Sequence, residues 1–161
     1  MKKKLIIYFS LTENTDFIAK KLSKDLDADI LEIKTSLDLK KWGFLKMFVG
    51  GAQVLLNILP KIEYRDININ DYENIIIGSP VWAGSYVPAL KAFLKKEKIK
   101  DKNIGLFVCC NGGEGHTIRE LKENLEGNKF LASAIFVDTL KNEKITREKY
   151  DIFLNELTAI V

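Results

Sequence analysis

The sequence predicts an α/β fold in which an open, mostly parallel sheet carries helices on both of its faces. The main observation is that five apolar runs of strand length alternate with segments whose apolar residues recur at helical spacing. Alternation of this kind is typical of a parallel sheet, because each crossover helix packs back onto the sheet. A second observation is that polar or glycine-rich loops follow several of the predicted strands. The 161 residues suit one domain, so we expect residues 1–161 to form a single unit.

Composition and charge narrow the class of protein. The chain is 47% hydrophobic and 29% charged, as in soluble globular domains. Its net charge of +3 is too small to indicate a nucleic-acid partner. The apolar run after Lys2–Lys4 is too short for a signal peptide. The only cysteines, Cys109 and Cys110, are adjacent, so we expect reduced thiols and a cytoplasmic protein.

The first part of the chain contains two predicted strands and one predicted helix. Leu5–Phe9 is apolar throughout, as expected of a central parallel strand that is covered on both faces. A helix is predicted over Glu13–Leu26, where apolar residues lie four apart on one face. Ile30–Ile33 is the second predicted strand, and its polar Glu32 indicates a position at the edge of the sheet.

The segment Lys40–Pro60 is rich in apolar residues but is interrupted by polar side chains and by the pair Gly50–Gly51. A membrane-spanning helix needs about 20 mostly uninterrupted apolar residues, so we expect no membrane span and no membrane partner here. Two short helices fit the pattern better. We favour a helical layer packed on the sheet, and the alternative is a hydrophobic lid or a dimer surface beside the site.

The second part of the chain repeats the pattern of strand followed by helix. Three further strands are predicted at Ile75–Ile77, Ile104–Val108 and Phe130–Val137. Pro88 stands in the first turn of the next helix, and Thr146 is predicted to cap the last one. The inner face of that last helix is predicted to carry Tyr150, Phe153, Leu154 and Leu157.

Three loops follow strands one, three and four: Ser10–Thr15, Ser79–Ser85 and Cys109–His116. Ligands of open parallel sheets bind at the carboxyl ends of the strands, which selects these loops. The first offers hydroxyl, amide and helix-terminal N–H groups for a phosphate, or is an ordinary helix cap. Trp82 in the second loop is interpreted either as a residue that stacks on a flat ring or as a residue of the core. The glycines of the third allow close approach of a flat ligand, so the set describes a mononucleotide or a flavin.

These motifs resemble the flavodoxin family over nearly the whole chain. Ser10–Thr15 is similar to its phosphate loop, Gly78–Gly84 to its first ring-binding loop, and Cys109–Glu114 to the start of its second. The resemblance implies a three-layer, doubly wound, five-stranded parallel sheet with strand order 2-1-3-4-5, and one non-covalent flavin mononucleotide (FMN). The residues implied to bind it are Ser10, Leu11, Thr12, Glu13, Asn14, Thr15, Ser79, Pro80, Val81, Trp82, Ala83, Gly84, Cys110, Asn111, Gly112, Gly113 and Glu114.

The sequence departs from the family pattern at Glu13, which replaces a glycine of the phosphate loop, and in its slightly basic charge. The resemblance also implies that a backbone carbonyl of the turn near Ala83–Gly84 accepts a hydrogen bond from the flavin N5–H when the ring is reduced.

The resemblance implies an electron carrier that acts between redox partner proteins. The alternative is an NAD(P)H-dependent FMN oxidoreductase that acts on a quinone or a similar acceptor. We expect a monomer or a homodimer, no catalytic side chain and no metal. Cys109, Cys110 and His116 are interpreted as structural residues rather than as a thiol or metal site. A receiver-type signalling module is disfavoured, because no acidic pair ends the first strand.

Overall fold

The computed structural model describes residues 3–36, 56 and 58–159. Its strands are β1 (Lys4–Tyr8), β2 (Asp29–Glu32), β3 (Lys34–Thr35), β4 (Ile62–Glu63), β5 (Asn74–Trp82), β6 (Ser85–Tyr86), β7 (Asn103–Cys110) and β8 (Lys129–Val137). Its helices are α1 (Asn14–Leu26), α2 (Pro88–Lys96), α3 (Thr117–Asn124) and α4 (Glu143–Thr158), with a short 3-10 turn at Ile69–Asp71. Most of the segment Lys40–Pro60 lies outside the described residues.

The main sheet has the order β2-β1-β5-β7-β8, and all of these neighbours are parallel. This confirms the predicted strand order 2-1-3-4-5, because β5, β7 and β8 are the third, fourth and fifth predicted strands. It also confirms the edge position of the strand that contains Glu32. The chain leaves β1 toward β2 and returns on its other side at β5, so strand order reverses between β1 and β5. A crevice for ligands is expected at the carboxyl ends of these two strands.

Helices cover both faces of the sheet, as the alternating pattern predicts. On one face, α1 and α4 pack against inward side chains of β1, β7 and β8; this core contains Ile6, Tyr8, Ile18, Leu22, Phe107, Phe136, Tyr150 and Phe153. On the other, α2 and α3 pack against β1, β5 and β7; this core contains Leu5, Ile7, Ile75, Ile77, Leu90, Phe93, Leu106 and Leu121. Consecutive residues of a parallel strand point to opposite faces of the sheet. Because both faces of this sheet are covered by helices, the residues pointing to either face are apolar.

One predicted helix boundary is wrong. Thr146 does not cap α4, because the helix already begins at Glu143 with Asn142 as its N-terminal flanking residue. The Thr146 N–H donates to the Asn142 carbonyl at 3.0 Å, and its hydroxyl donates to the Thr139 carbonyl at 3.0 Å. Thr146 therefore ties the first turn of α4 to the loop after β8. Among the described helices, none combines the length and apolar character needed to cross a membrane.

Candidate functional site

The carboxyl ends of β1, β5 and β7 bring the three predicted loops to one edge of the sheet. These strands are neighbours, so their loops lie side by side. The ring of Phe9, just past β1, meets the Trp82 ring edge to face, with centroids 5.8 Å apart. The Gly84 carbonyl of the second loop accepts a hydrogen bond at 2.7 Å from the N–H of His116, the last residue of the third loop. The structure thus brings the residue just before the first loop against the second loop, and the second loop against the third.

The first loop, Ser10–Glu13, ends at the amino terminus of α1. Its polar groups are ordered by internal contacts. The Asn14 Nδ2 donates to Thr12 Oγ1 at 3.2 Å, and Ser10 Oγ accepts from the Asp16 N–H at 3.2 Å. Thr12 is exposed, while Ser10 and Asn14 are half-buried. Accessible hydroxyl and amide groups therefore lie beside the partly positive N–H groups of the first helical turn, which is an arrangement that suits a phosphate.

Two other residues predicted to bind the ligand at this loop have structural contacts. Leu11 is half-buried and packs against the core on the α2 and α3 face of the sheet. Thr15, in the first turn of α1, is only 1% exposed. The Asn14 Oδ1 also accepts from the Leu140 N–H at 3.3 Å, which links this loop to the segment after β8.

Glu13 occupies a backbone conformation that favours glycine. Its φ is 68°, in the left-handed region, and its side chain makes no cap hydrogen bond to α1. A side chain in this region costs roughly 1–2 kcal/mol, because Cβ approaches the following carbonyl oxygen too closely. The Glu13 side chain is exposed, so its carboxylate adds negative charge at the surface of the loop.

Asp16 supports the first loop from the side of the core. Its Oδ1 accepts from the Tyr8 hydroxyl at 2.6 Å, and its Oδ2 lies 2.8 Å from Lys20 Nζ. Burial, followed by this hydrogen bond, raises the pKa of Tyr8 well above its usual range, so the hydroxyl stays protonated and donating. The Lys20 ammonium offsets the Asp16 charge beside the candidate phosphate site.

The second predicted loop, Ser79–Ser85, is a β-hairpin, so the predicted extent of the loop is wrong and only its turn near Ala83–Gly84 is found. β5 continues to Trp82 and turns back into β6, with Trp82 opposite Ser85. The two turn residues, Ala83 and Gly84, have φ values of 48° and 75°. Positive values at both central positions are typical of a type I′ turn, whose twist matches that of the flanking strands.

Ser79, Pro80 and Val81 therefore lie in a strand. Parallel pairing with β7 continues as far as Pro80, opposite Cys109, and holds the chain extended. Ser79 is fully buried; its hydroxyl donates to the Pro80 carbonyl at 2.8 Å and accepts from the Val87 N–H at 3.3 Å. Its side chain is a structural link to α2, whereas Pro80 and Val81 are half-buried toward the open edge.

The third loop combines open glycines with a carboxylate that has one buried oxygen. Asn111, Gly112 and Gly113 are exposed, and a Cβ added at either glycine would meet no atom within 4 Å. Cys110, the last residue of β7, is buried, and its thiol donates weakly to the Gly112 carbonyl at 3.7 Å. Among the described residues, the buried Oε2 of Glu114 has no hydrogen-bond partner. A buried carboxylate oxygen without a donor is costly, so this atom fits a ligand N–H.

The second and third loops meet in a glycine contact that the sequence analysis missed. Gly115 has φ of +59°, and a Cβ added there would lie 2.4 Å from the Gly84 oxygen and 2.5 Å from the Gly84 Cα. This close approach lets the His116 N–H reach the Gly84 carbonyl. Gly84 and Gly115 are 31 residues apart in the sequence, so a local sequence pattern does not reveal the contact between them. A glycine just before a predicted helix start was the only available signal.

Comparison with known proteins places the chain in a family. The family model described as flavodoxin matches residues 3–157. The chain belongs to the flavodoxin family. No curated protein sequence matches it. The flavodoxin family binds FMN, so the expected cofactor is confirmed at the level of the family.

Solved structures share the fold of this flavodoxin-family chain. A flavoprotein from Lactobacillus acidophilus, in complex with FMN, is 24% identical with a TM-score of 0.72, covering 91% of this chain and 98% of that one. A flavoprotein from Bacteroides eggerthii is 21% identical with a TM-score of 0.75, covering 95% and 98%. The flavodoxin of Fusobacterium nucleatum, bound to FMN, is 17% identical with a TM-score of 0.61, covering 99% of each chain.

The site of this flavodoxin-family member has the donors and acceptors that FMN needs. The loop before α1 contains N–H, hydroxyl and amide groups of the kind that suit a phosphate. Trp82 supplies a half-buried aromatic ring in the neighbouring β5–β6 hairpin. The orphaned Glu114 Oε2 and the open backbone at Gly112 and Gly113 suit the polar edge of a ring. Within the described part of the chain, no group of three or more His, Cys, Asp or Glu side chains is arranged to hold a metal ion.

Replacing Glu13 by glycine is expected to stabilise this flavodoxin-family chain. We expect Glu13→Gly to raise the free energy of unfolding by up to about 1 kcal/mol relative to Glu13→Gln. Glu13→Gln is the matched control, because it removes the same charge but keeps a side chain at φ 68°. Both variants are expected to bind FMN several-fold more tightly, since each removes a negative charge beside the phosphate. Urea unfolding of the apoprotein and FMN titration measure the two effects; a glycine variant no more stable than the glutamine variant would contradict the strain at this position.

The two thiols are expected to be unreactive in the folded protein. Burial raises the pKa of Cys109 to about 12 and also raises the pKa of Cys110. Folding therefore favours the neutral thiol of Cys109, and this contribution to stability is complete below pH ~8.5 and is lost as the pH rises toward about 12. At pH 8, iodoacetamide should alkylate the native chain far more slowly than the urea-unfolded chain. Equal rates would show that the end of β7 is open to solvent.

Proposed function

We propose that this protein carries electrons between redox partner proteins on bound FMN. The observation that carries the proposal is the convergence of the helix-terminal loop at Ser10–Thr15, the Trp82 hairpin and the glycine-rich loop on one edge of the sheet. Bound FMN supplies the redox chemistry through its isoalloxazine ring, and the protein holds and orients it. Because Trp82, Gly112 and Gly113 keep contact with solvent, the ring would lie where a partner protein can approach it.

Each loop has a separate role in this proposal. Ser10, Thr12 and Asn14, with the N–H groups that open α1, hold the phosphate. Trp82 stacks on one face of the ring. The third loop reaches the polar edge of the ring, where the Glu114 carboxylate accepts a ring N–H.

The turn between β5 and β6 has one carbonyl already in use. The Gly84 oxygen accepts from the His116 N–H at 2.7 Å. No hydrogen bond to the Ala83 carbonyl occurs among the described residues, and Ala83 is exposed. We therefore assign to the Ala83 carbonyl, rather than to that of Gly84, the role of accepting a hydrogen bond from the flavin N5–H.

A second candidate function is an NAD(P)H-dependent FMN oxidoreductase that acts on a quinone or a similar acceptor. The observation that favours it is the open third loop, where Asn111, Gly112 and Gly113 are exposed and place no aromatic side chain over the site. An uncovered ring face leaves room for the nicotinamide of a hydride donor.

Stepwise anaerobic reduction of the FMN-loaded protein separates the two functions. A carrier is expected to take up electrons in two steps with well-separated potentials and to oxidise NADH and NADPH negligibly. An oxidoreductase would take up both electrons at one potential and would oxidise NADH or NADPH continuously when a quinone is added. The second result would replace the proposed function with the alternative.

A further inference from the structure

The outer end of the β5–β6 hairpin, beyond Pro80, is too short to hold its own position. β6 contains only Ser85 and Tyr86, which pair with Trp82 and Val81. β5 is held by its pairing with β7 as far as Pro80, but beyond that point the hairpin has only two residue pairs of its own. An isolated hairpin of that size is at best marginally stable in water. Contacts from outside the hairpin must therefore fix Trp82 and the turn that follows it.

Besides the Phe9 ring against Trp82, those contacts include two hydrogen bonds to the first turn of α3 and the residue before it. The His116 N–H donates to the Gly84 carbonyl at 2.7 Å, within the hairpin turn. One helical turn later, a Glu120 carboxylate oxygen accepts a short hydrogen bond from the Ser85 hydroxyl. Because Ser85 lies directly opposite Trp82, this bond braces the residue that pairs with the predicted stacking ring.

Glu120 also connects the hairpin to α2. The carboxylate oxygen that accepts from Ser85 lies 3.9 Å from Lys91 Nζ, and that ammonium lies 5.0 Å from the centroid of the Tyr86 ring. Ser85 is only 5% exposed and Tyr86 2% exposed, so these contacts are shielded from solvent on the hairpin side. Charged hydrogen bonds in such surroundings are stronger than those between neutral groups, which suits a fixed brace.

We propose that Glu120 is a positioning residue for the flavin site, which acts through Ser85 to fix Trp82 and the Ala83–Gly84 turn. It does not touch the ring, and its role rests on the proposed function of the site as an FMN site. Its neighbour Glu123 on the same helix serves no such purpose. The Glu123 side chain is 67% exposed, and its ion-pair partner is Arg119 at 3.8 Å.

The test compares Glu120→Ala, Glu120→Gln and Ser85→Ala with the control Glu123→Gln. We expect Glu120→Ala and Ser85→Ala each to weaken FMN binding roughly 10-fold or more, since small displacements of a binding group are costly. The double variant should lose little more than either single variant, because both remove one shared hydrogen bond. Glu120→Gln keeps an oxygen that accepts from Ser85 and should restore most of the affinity. Glu123→Gln should bind FMN as the unaltered protein does.

Two further readouts separate positioning from a loss of fold. In the apoprotein, hydrogen exchange of the His116 amide should be faster in Glu120→Ala and unchanged in Glu123→Gln. In the FMN-loaded protein, at least one of the flavin reduction potentials should shift in Glu120→Ala and recover in Glu120→Gln.

Unchanged affinity, potentials and His116 exchange in Glu120→Ala and Ser85→Ala would overturn the role of Glu120. If the unaltered protein binds no FMN, the proposed function fails, and with it the flavin-positioning role. The His116 exchange would then still show whether Glu120 fixes the hairpin.

Discussion

Gly115→Ala is expected to cause a large loss of FMN binding. The new Cβ would lie 2.4 Å from the Gly84 oxygen and 2.5 Å from the Gly84 Cα, both backbone atoms that no rotamer change can move. The residue also has φ of +59°, which disfavours any side chain. We expect a destabilisation of roughly 2–4 kcal/mol and FMN binding weaker by about 100-fold or more, since the hairpin turn must shift.

Gly113→Ala is the control for the stability change. A Cβ there meets no atom within 4 Å, so the free energy of unfolding should stay within about 0.5 kcal/mol of the unaltered value. Urea unfolding measures stability for both variants, and fluorescence titration measures FMN affinity for Gly115→Ala. A Gly115→Ala variant that folds and binds FMN normally would show that the Gly84–Gly115 contact does not fix the hairpin turn.

Trp82→Ala is expected to weaken FMN binding by roughly 2 kcal/mol, or about 30-fold. The loss combines the apolar area that the indole covers on the flavin ring with the geometric preference of stacked aromatic pairs. Trp82 packs partly against the core and contacts Phe9 edge to face, but it keeps some exposure, so part of its ring surface remains for a ligand.

Trp82→Phe is the matched variant, because it keeps a smaller aromatic face at the same position. Its FMN affinity should lie between those of Trp82→Ala and the unaltered protein. If Trp82→Ala binds FMN as tightly as the unaltered protein but unfolds more easily, Trp82 is a core residue and the stacking role is wrong.

The sequence predicted those parts of the fold that depend on local pattern. The uninterrupted apolar run at Leu5–Phe9 and the helical spacing after Glu13 predicted β1 and α1 to within one residue at each end. The polar Glu32 predicted an edge strand, and β2 is at the edge. Each of these features results from burial on one or two faces of an element, which periodicity reports directly.

The hairpin was missed because its residues carry conflicting local signals. Pro80 and the glycines around it are typical of a loop, while the turn Ala83–Gly84 lacks the Asn-Gly or Asp-Gly pair that marks most type I′ hairpins. What holds the chain extended is pairing with β7, a contact with a distant segment. Sequence distance also hid the roles of Gly115 and Glu120. Their partners lie more than 30 residues away, so nothing in the neighbouring sequence predicts them.

The three loops at the carboxyl edge of the sheet are proposed to form one FMN site. The most direct test is fluorescence titration of the apoprotein with FMN and with riboflavin, which lacks the phosphate. We predict one FMN per chain at micromolar concentration or below, and riboflavin binding weaker by at least about 10-fold, because the loop at Ser10–Thr15 holds the phosphate. Absence of one-to-one FMN binding, or equal affinity for the two flavins, would contradict the assignment of that loop and the site built around it.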